Sequence, residues 1–208
     1  MRRRKDARRN YDALVAAAEV EFATSGPDVP LDAVVRRAGV GRGTLYRHFT
    51  DRRDLATAVW ERRTAEHEVW FAEHGDRPDA LAALLVRMAA AQVRTRGVLV
   101  VLTRDTEPEG GTGAERLRRL EDRVRTMAGT ALARSQAAGR VAADLTVEDV
   151  LLVLRMVEGA LAGRTIEEAP AVAERVLRLV MPAVTGGPAT DLPTFEVPGA
   201  AAPATVDG

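Results

Sequence analysis

Cysteine is absent from the chain, which excludes disulfides and thiolate metal centres and fits a reducing compartment. Serine occurs only at Ser25 and Ser135, and histidine only at His48, His67 and His74. Those few groups stand in no arrangement suited to nucleophilic or acid–base catalysis, so no enzyme activity and no cofactor are expected. The longest apolar runs, such as 97–102 and 150–154, fall far short of the ~20 residues that cross a bilayer. Behind Met1-Arg2-Arg3-Arg4-Lys5 there is no apolar stretch of the kind that follows a secretory n-region. The expectation is a cytoplasmic protein without a membrane partner. Aromatic residues make up only 4%, so a flat polyaromatic ligand is not specially indicated.

What the sequence does have is 46% apolar residues over 208 positions, enough for a sizeable core. Its formal charge is zero, but unevenly placed. Residues 1–53 hold 12 basic against 7 acidic side chains, and the remainder holds 18 against 23. A cationic first quarter joined to an acidic body points to a module for a polyanion carried on a part that need not touch one. For residues 2–9 alone, a solvated basic arm is an equally good account.

Apolar spacing is helical throughout and nowhere alternates with period two, so the expected class is all-α. Leu14, Ala18 and Phe22 lie four apart on one face of a first helix over 7–24, stopped by Ser25-Gly26-Pro27. Pro30 suits the start of a second helix over 31–38, with Leu31, Val34, Val35 and Ala38 inward and Gly39 ending it in the left-handed conformation. A third helix over 42–49 buries Leu45 and Phe49. Asp51 caps a long fourth helix to about residue 74, accepting from the amides of Arg53 and Asp54. Five further helices are expected near 79–95, 97–105, 113–138, 146–163 and 167–184, with a mobile loop over 107–113 and a disordered tail over 186–208.

Two short helices joined by a three-residue turn beginning at Gly39 form a helix-turn-helix, whose second helix enters the major groove of DNA. Arg42, Thr44, Arg47 and His48 offer hydrogen bonds to base edges, and Gly43 lets the backbone approach. Tyr46 and Arg52 suit phosphate oxygens. The alternative for His48 is a cap or internal hydrogen bond at the helix end. The run "AGVGRGTLYRHF" and residues 7–60 around it resemble the DNA-binding domain of the TetR family of bacterial transcriptional regulators. The resemblance implies a three-helix DNA-binding domain and a C-terminal domain that dimerises and holds an effector pocket. It also implies base-facing positions for Arg42, Gly43, Thr44, Arg47 and His48, and phosphate-facing ones for Tyr46 and Arg52. Gly41 stands where that family often has serine and Pro30 where it often has threonine. Arg52-Arg53 replaces a common lysine–acidic pair.

The expected division is a helix-turn-helix domain over 1–53, a helical ligand-binding and dimerisation domain over 54–185, and the tail. The body after residue 53 is larger than dimerisation alone requires, and a pocket between helices is its natural use. Candidate linings are Trp70, Phe71, Met88, Val101, Arg104 and Met127, with His67 as a polar anchor; ordinary core is the competing role for each. His67 and His74 with Glu66, Glu73 or Asp76 are a weaker candidate for metal ligation, and no metal is expected. In 147–161 polar side chains are confined mostly to Glu148, Arg155 and Glu158, and 172–184 has its own stripe of Val172, Val176, Leu179, Val180 and Val184. Both helices are expected to pair with their copies across a two-fold axis. The whole reads as a repressor released from a near-palindromic duplex operator by an unknown small-molecule effector. The alternative is a DNA-binding regulator or architectural protein without a ligand.

Overall fold

The computed structural model describes residues 2–104, 112–186 and 195. Among the described residues there are eight helices and no strand: α1 (Arg2–Ser25), α2 (Leu31–Ala38), α3 (Arg42–His48), α4 (Arg52–His74), α5 (Ala80–Arg104), α6 (Thr112–Ala137), α7 (Val147–Leu161) and α8 (Ala169–Thr185). The expected loop over 107–113 lies mainly outside the described residues, and so does most of the expected tail. Phe195, inside that tail, is half-buried against the C-terminal core.

Local chemistry sets most boundaries. Gly39 closes α2 at φ 66°, a conformation open to glycine at no steric cost, and its amide returns to the carbonyl of Arg36. Pro30 caps α2 without a side-chain acceptor. Asp51 caps α4 by accepting from the Asp54 amide at 2.8 Å. Thr146 and Asp149 make a reciprocal capping box at the start of α7. The basic segment is no separate arm, because α1 begins at Arg2, with Arg9 near Asp6 and Arg8 near Asp12 one helical turn away.

The clearest departure from the sequence reading is α5. In place of separate helices over 79–95 and 97–105, one helix runs unbroken through Gly97. Its role is close approach: a methyl group on Gly97 would overlap the carbonyl oxygen of Phe22 in α1. Helix α5 thereby enters two cores. Ala80 to Val93 pack with α6, α7 and α8, whereas Val98, Val101 and Leu102 join Leu14, Phe22, Val34, Leu45, Phe49 and Leu55. No gap in packing falls at residue 53, since Leu55, Ala56 and Val59 of α4 also belong to the N-terminal core.

On α8 the buried stripe is Ala169, Ala173, Leu177, Met181 and Val184. Of the stripe read from the sequence only Val184 is fully buried. Val172, Val176 and Val180 are half-buried and Leu179 is exposed.

Candidate nucleic-acid interface and cavity

Leu45 and Phe49 anchor α3 from beneath, at 1% and 2% exposure. Residues between them therefore face outward. Arg42, Gly43, Tyr46 and Arg47 are exposed, and Thr44 and His48 are half-buried. Nothing lies within 4 Å of where a Gly43 side chain would begin, so the backbone there is open to a close partner.

The polar side chains are parked on neighbours. The Arg42 guanidinium donates to the Asp32 carboxylate of α2. Arg47 Nε donates to the Gly43 carbonyl at 2.9 Å and its terminal nitrogen to Thr44 Oγ1 at 3.2 Å. Arg52 lies 3.6 Å from Asp28, with its Nε buried and unpartnered. The His48 ring rests edge-on against Tyr11, with centroids 5.8 Å apart, and Tyr11 stacks on Phe49 at 5.1 Å. Sequence reasoning missed Tyr11; the four-residue offset from Tyr11 to Val15 on the inner face of α1 was the available signal.

A family model described as "Bacterial regulatory proteins, tetR family" matches residues 14–59. The TetR transcription regulatory protein from Mycobacterium vanbaalenii is 31% identical, with 75% of this chain and 96% of that chain covered at a TM-score of 0.58. This chain belongs to the TetR family. It is a DNA-binding transcription regulator of helix-turn-helix type, a description that sets it apart from enzymes. An HTH-type transcriptional regulator of Staphylococcus aureus is 37% identical over 60 residues, 28% of this chain. The chain thus spans about a third, 32%, of the length of the curated relatives it matches. SmeT, the repressor of the Stenotrophomonas maltophilia multidrug efflux pump SmeDEF, shares the fold at 19% identity and a TM-score of 0.54, over 89% of this chain and 95% of that one.

Behind the TetR-type head, α4, α5, α6 and α7 line a cavity of about 690 Å³ that is partly open to solvent. His67 and Met88 line it. The other five candidates do not. Trp70 stacks on His74 at 4.8 Å and carries the Arg87 guanidinium over its ring, and Phe71 lies under Arg134. Val101 is in the N-terminal core and Met127 in the C-terminal one. Arg104 is an exposed end residue 3.9 Å from Asp28. Helical spacing marks these side chains as apolar or amphipathic but cannot say which of two adjoining volumes each one fills.

The cavity wall is mostly apolar, with Leu99, Leu102, Leu117, Val124, Leu151 and Leu154 among its side chains. Its polar members are unusual. Burial, reinforced by the charges of Arg87 and Arg63, holds the His67 imidazole down at about 4, so it is neutral at ordinary pH, and its Nδ1 has no partner. Gln92 donates from Nε2 to the Leu154 carbonyl at 3.2 Å, which fixes the amide orientation and leaves Oε1 buried and unpartnered. Arg63 pairs with Glu19 and Glu66, yet its Nε is also orphaned. Burial raises the Glu158 carboxyl above its usual range, partly offset by Arg155. His74 is occupied elsewhere, its Nδ1 2.9 Å from the Trp70 carbonyl, and among the described residues no three His, Cys, Asp or Glu side chains cluster as a metal site would require. No described helix is long and apolar enough to cross a membrane.

Proposed function

We propose that this TetR-family regulator is a cytoplasmic, homodimeric repressor that leaves a near-palindromic operator when a small molecule enters the cavity. The supporting observation is α4. It is a single helix from Arg52 to His74 whose first turn is bonded to the end of the reading element, through Thr50 N–H to the Asp54 carboxylate at 3.2 Å. About three to four turns further on, Thr64 and His67 line the cavity. A ligand that displaces these side chains tilts the element to which α3 is fastened.

In this reading the 1–53 segment supplies DNA contacts and 54–185 the ligand and dimer contacts. Arg42, Thr44, Arg47 and His48 face base edges, Gly43 admits the backbone, and Tyr46 and Arg52 hold phosphates. Selection from random duplex DNA tests the proposal. An inverted repeat with half-site centres about one helical turn apart, or somewhat more, is expected; recovery of no inverted repeat overturns it. A compound that binds the cavity must also weaken operator binding, by roughly 5–150-fold for a typical coupling of about 1–3 kcal/mol.

A further inference from the structure

We infer that the cavity takes a weak organic acid with an apolar body, its anionic head set beside His67 and Arg63 and its body along the leucines of α5, α6 and α7. This rests on the effector reading above and narrows it to a chemical class.

Two independent observations point the same way. The cavity wall carries five arginines against two glutamates; Arg63 and Arg125 are already paired with Glu19, Glu66 and Glu148, and Arg118 and Arg155 supply positive charge that suits an anion. Arg118 and Arg155 stand exposed within that wall. At the interior, Arg63 Nε and His67 Nδ1 are buried without partners, one turn apart on the same face of α4. Orphaned buried polar atoms cost free energy and call for an occupant. Arg63 Nε can only donate, and His67 Nδ1 donates in its Nδ1–H tautomer and again once a carboxylate draws a proton onto the ring, so a carboxylate satisfies both. An alcohol meets less of this demand, and a cation meets none. Of the two glutamates among the described lining residues, Glu158 is the more interior, and burial biases it toward its neutral form.

Anion binding must then change the protonation of His67. The charges around it are Arg63 and Glu66 on α4, Glu19 on α1 paired with Arg63, Arg87 and Arg94 on α5, Glu121, Arg118 and Arg125 on α6, and Arg155 and Glu158 on α7. Burial and the nearby arginines keep the imidazole neutral. A carboxylate beside it favours the imidazolium, so the acid enters with uptake of a proton.

The test titrates the full chain near pH 7 with three probes of equal chain length, sodium decanoate, decan-1-ol and decylammonium chloride, by calorimetry in buffers of differing ionisation enthalpy. Decanoate is expected to bind at least about tenfold more tightly than decan-1-ol, decylammonium more weakly still, and only decanoate with buffer-dependent proton uptake. His67→Gln is expected to abolish that uptake, and Arg118→Ala with Arg155→Ala, both at exposed positions, to weaken decanoate selectively. Should His67→Gln fail to fold, the His67 imidazole resonance of the wild-type chain reports its protonation directly. Equal binding of decan-1-ol, preferred binding of decylammonium, no binding of any probe, or an imidazole that stays neutral with decanoate bound overturns the inference. If an uncharged or cationic compound binds the cavity and releases selected operator DNA while decanoate does neither, the acid class fails and the effector reading stands. Failure to select an inverted repeat removes the reading itself, whatever decanoate does.

Discussion

At Gly97 one hydrogen atom sets how closely α1 and α5 meet. Gly97→Ala forces a methyl into the Phe22 carbonyl, a backbone atom that cannot swing aside, and a loss of about 1–3 kcal/mol is expected, read by urea unfolding. From the sequence alone this glycine is indistinguishable from a helix end, because the reason for it lies 75 positions away in the chain. His67 has a second residue-scale consequence. Its folded value near 4 lies below the ordinary 6.5, so above 6.5 both folded and unfolded chains hold neutral imidazole. As pH falls through that window only the unfolded chain takes up the proton, and stability should drop by roughly 3 kcal/mol before levelling off. Unfolding curves at successive pH values check this, and His67→Gln should remove that part of the slope. The two faces of α3 were legible for the opposite reason to Gly97: Arg42 to Phe49 carry their pattern within two turns, inward leucine and phenylalanine alternating with outward polar groups.

Among elements, α4 and α6 are held side by side by arginines spaced seven apart. Arg116 donates to Glu61 and Asp54, and Arg123 to Glu68. These bonds hold the Glu61 and Glu68 carboxyls below their usual range. Their contribution is therefore present above the ordinary carboxylate value and lost as pH falls through the lowered ones. Since Asp54 also accepts from Thr50 just past α3, Arg116 ties α6 to the end of α4 that adjoins α3. Arg116→Gln is expected to cost about 1 kcal/mol of stability, as half-exposed pairs do. It should also reduce the factor by which a bound cavity ligand weakens operator binding. Thermal melts read the first effect, and paired titrations with and without DNA read the second. The sequence offered no hint of this clasp: i, i+7 arginines on a polar face look the same whether they meet glutamates or water.

For the molecule as a whole, the proposed dimer would use the exposed apolar side chains of α7 and α8 as its surface for a second copy. Leu152 is 53% exposed, Met156 45% and Leu179 65%, more than scattered surface leucines account for when they cluster on two neighbouring helices. Leu152→Glu with Leu179→Glu should convert a dimer to monomers by sedimentation and reduce affinity for an inverted repeat far more than for a half-site. Operator affinity should fall with log salt at about −0.9 per phosphate contacted, and Arg52→Ala should flatten that slope by about one contact. Apolar surplus on α7 was readable from composition. Which side of α8 stays free was not, because the buried stripe of alanines, Leu177 and Met181 is less hydrophobic than the valine stripe beside it.

The two cores share α5. Because Val98, Val101 and Leu102 cover Phe22 and Leu14, the DNA-binding head is not a cassette that can be lifted out at residue 53. A chimaera joined there would leave the underside of α1 bare unless the new partner brought its own helix end to cover it. New operator specificities are thus more readily reached by changing the outward face of α3 than by exchanging heads, and a graft that does succeed should be one that carries residues 97–102 along with 1–59.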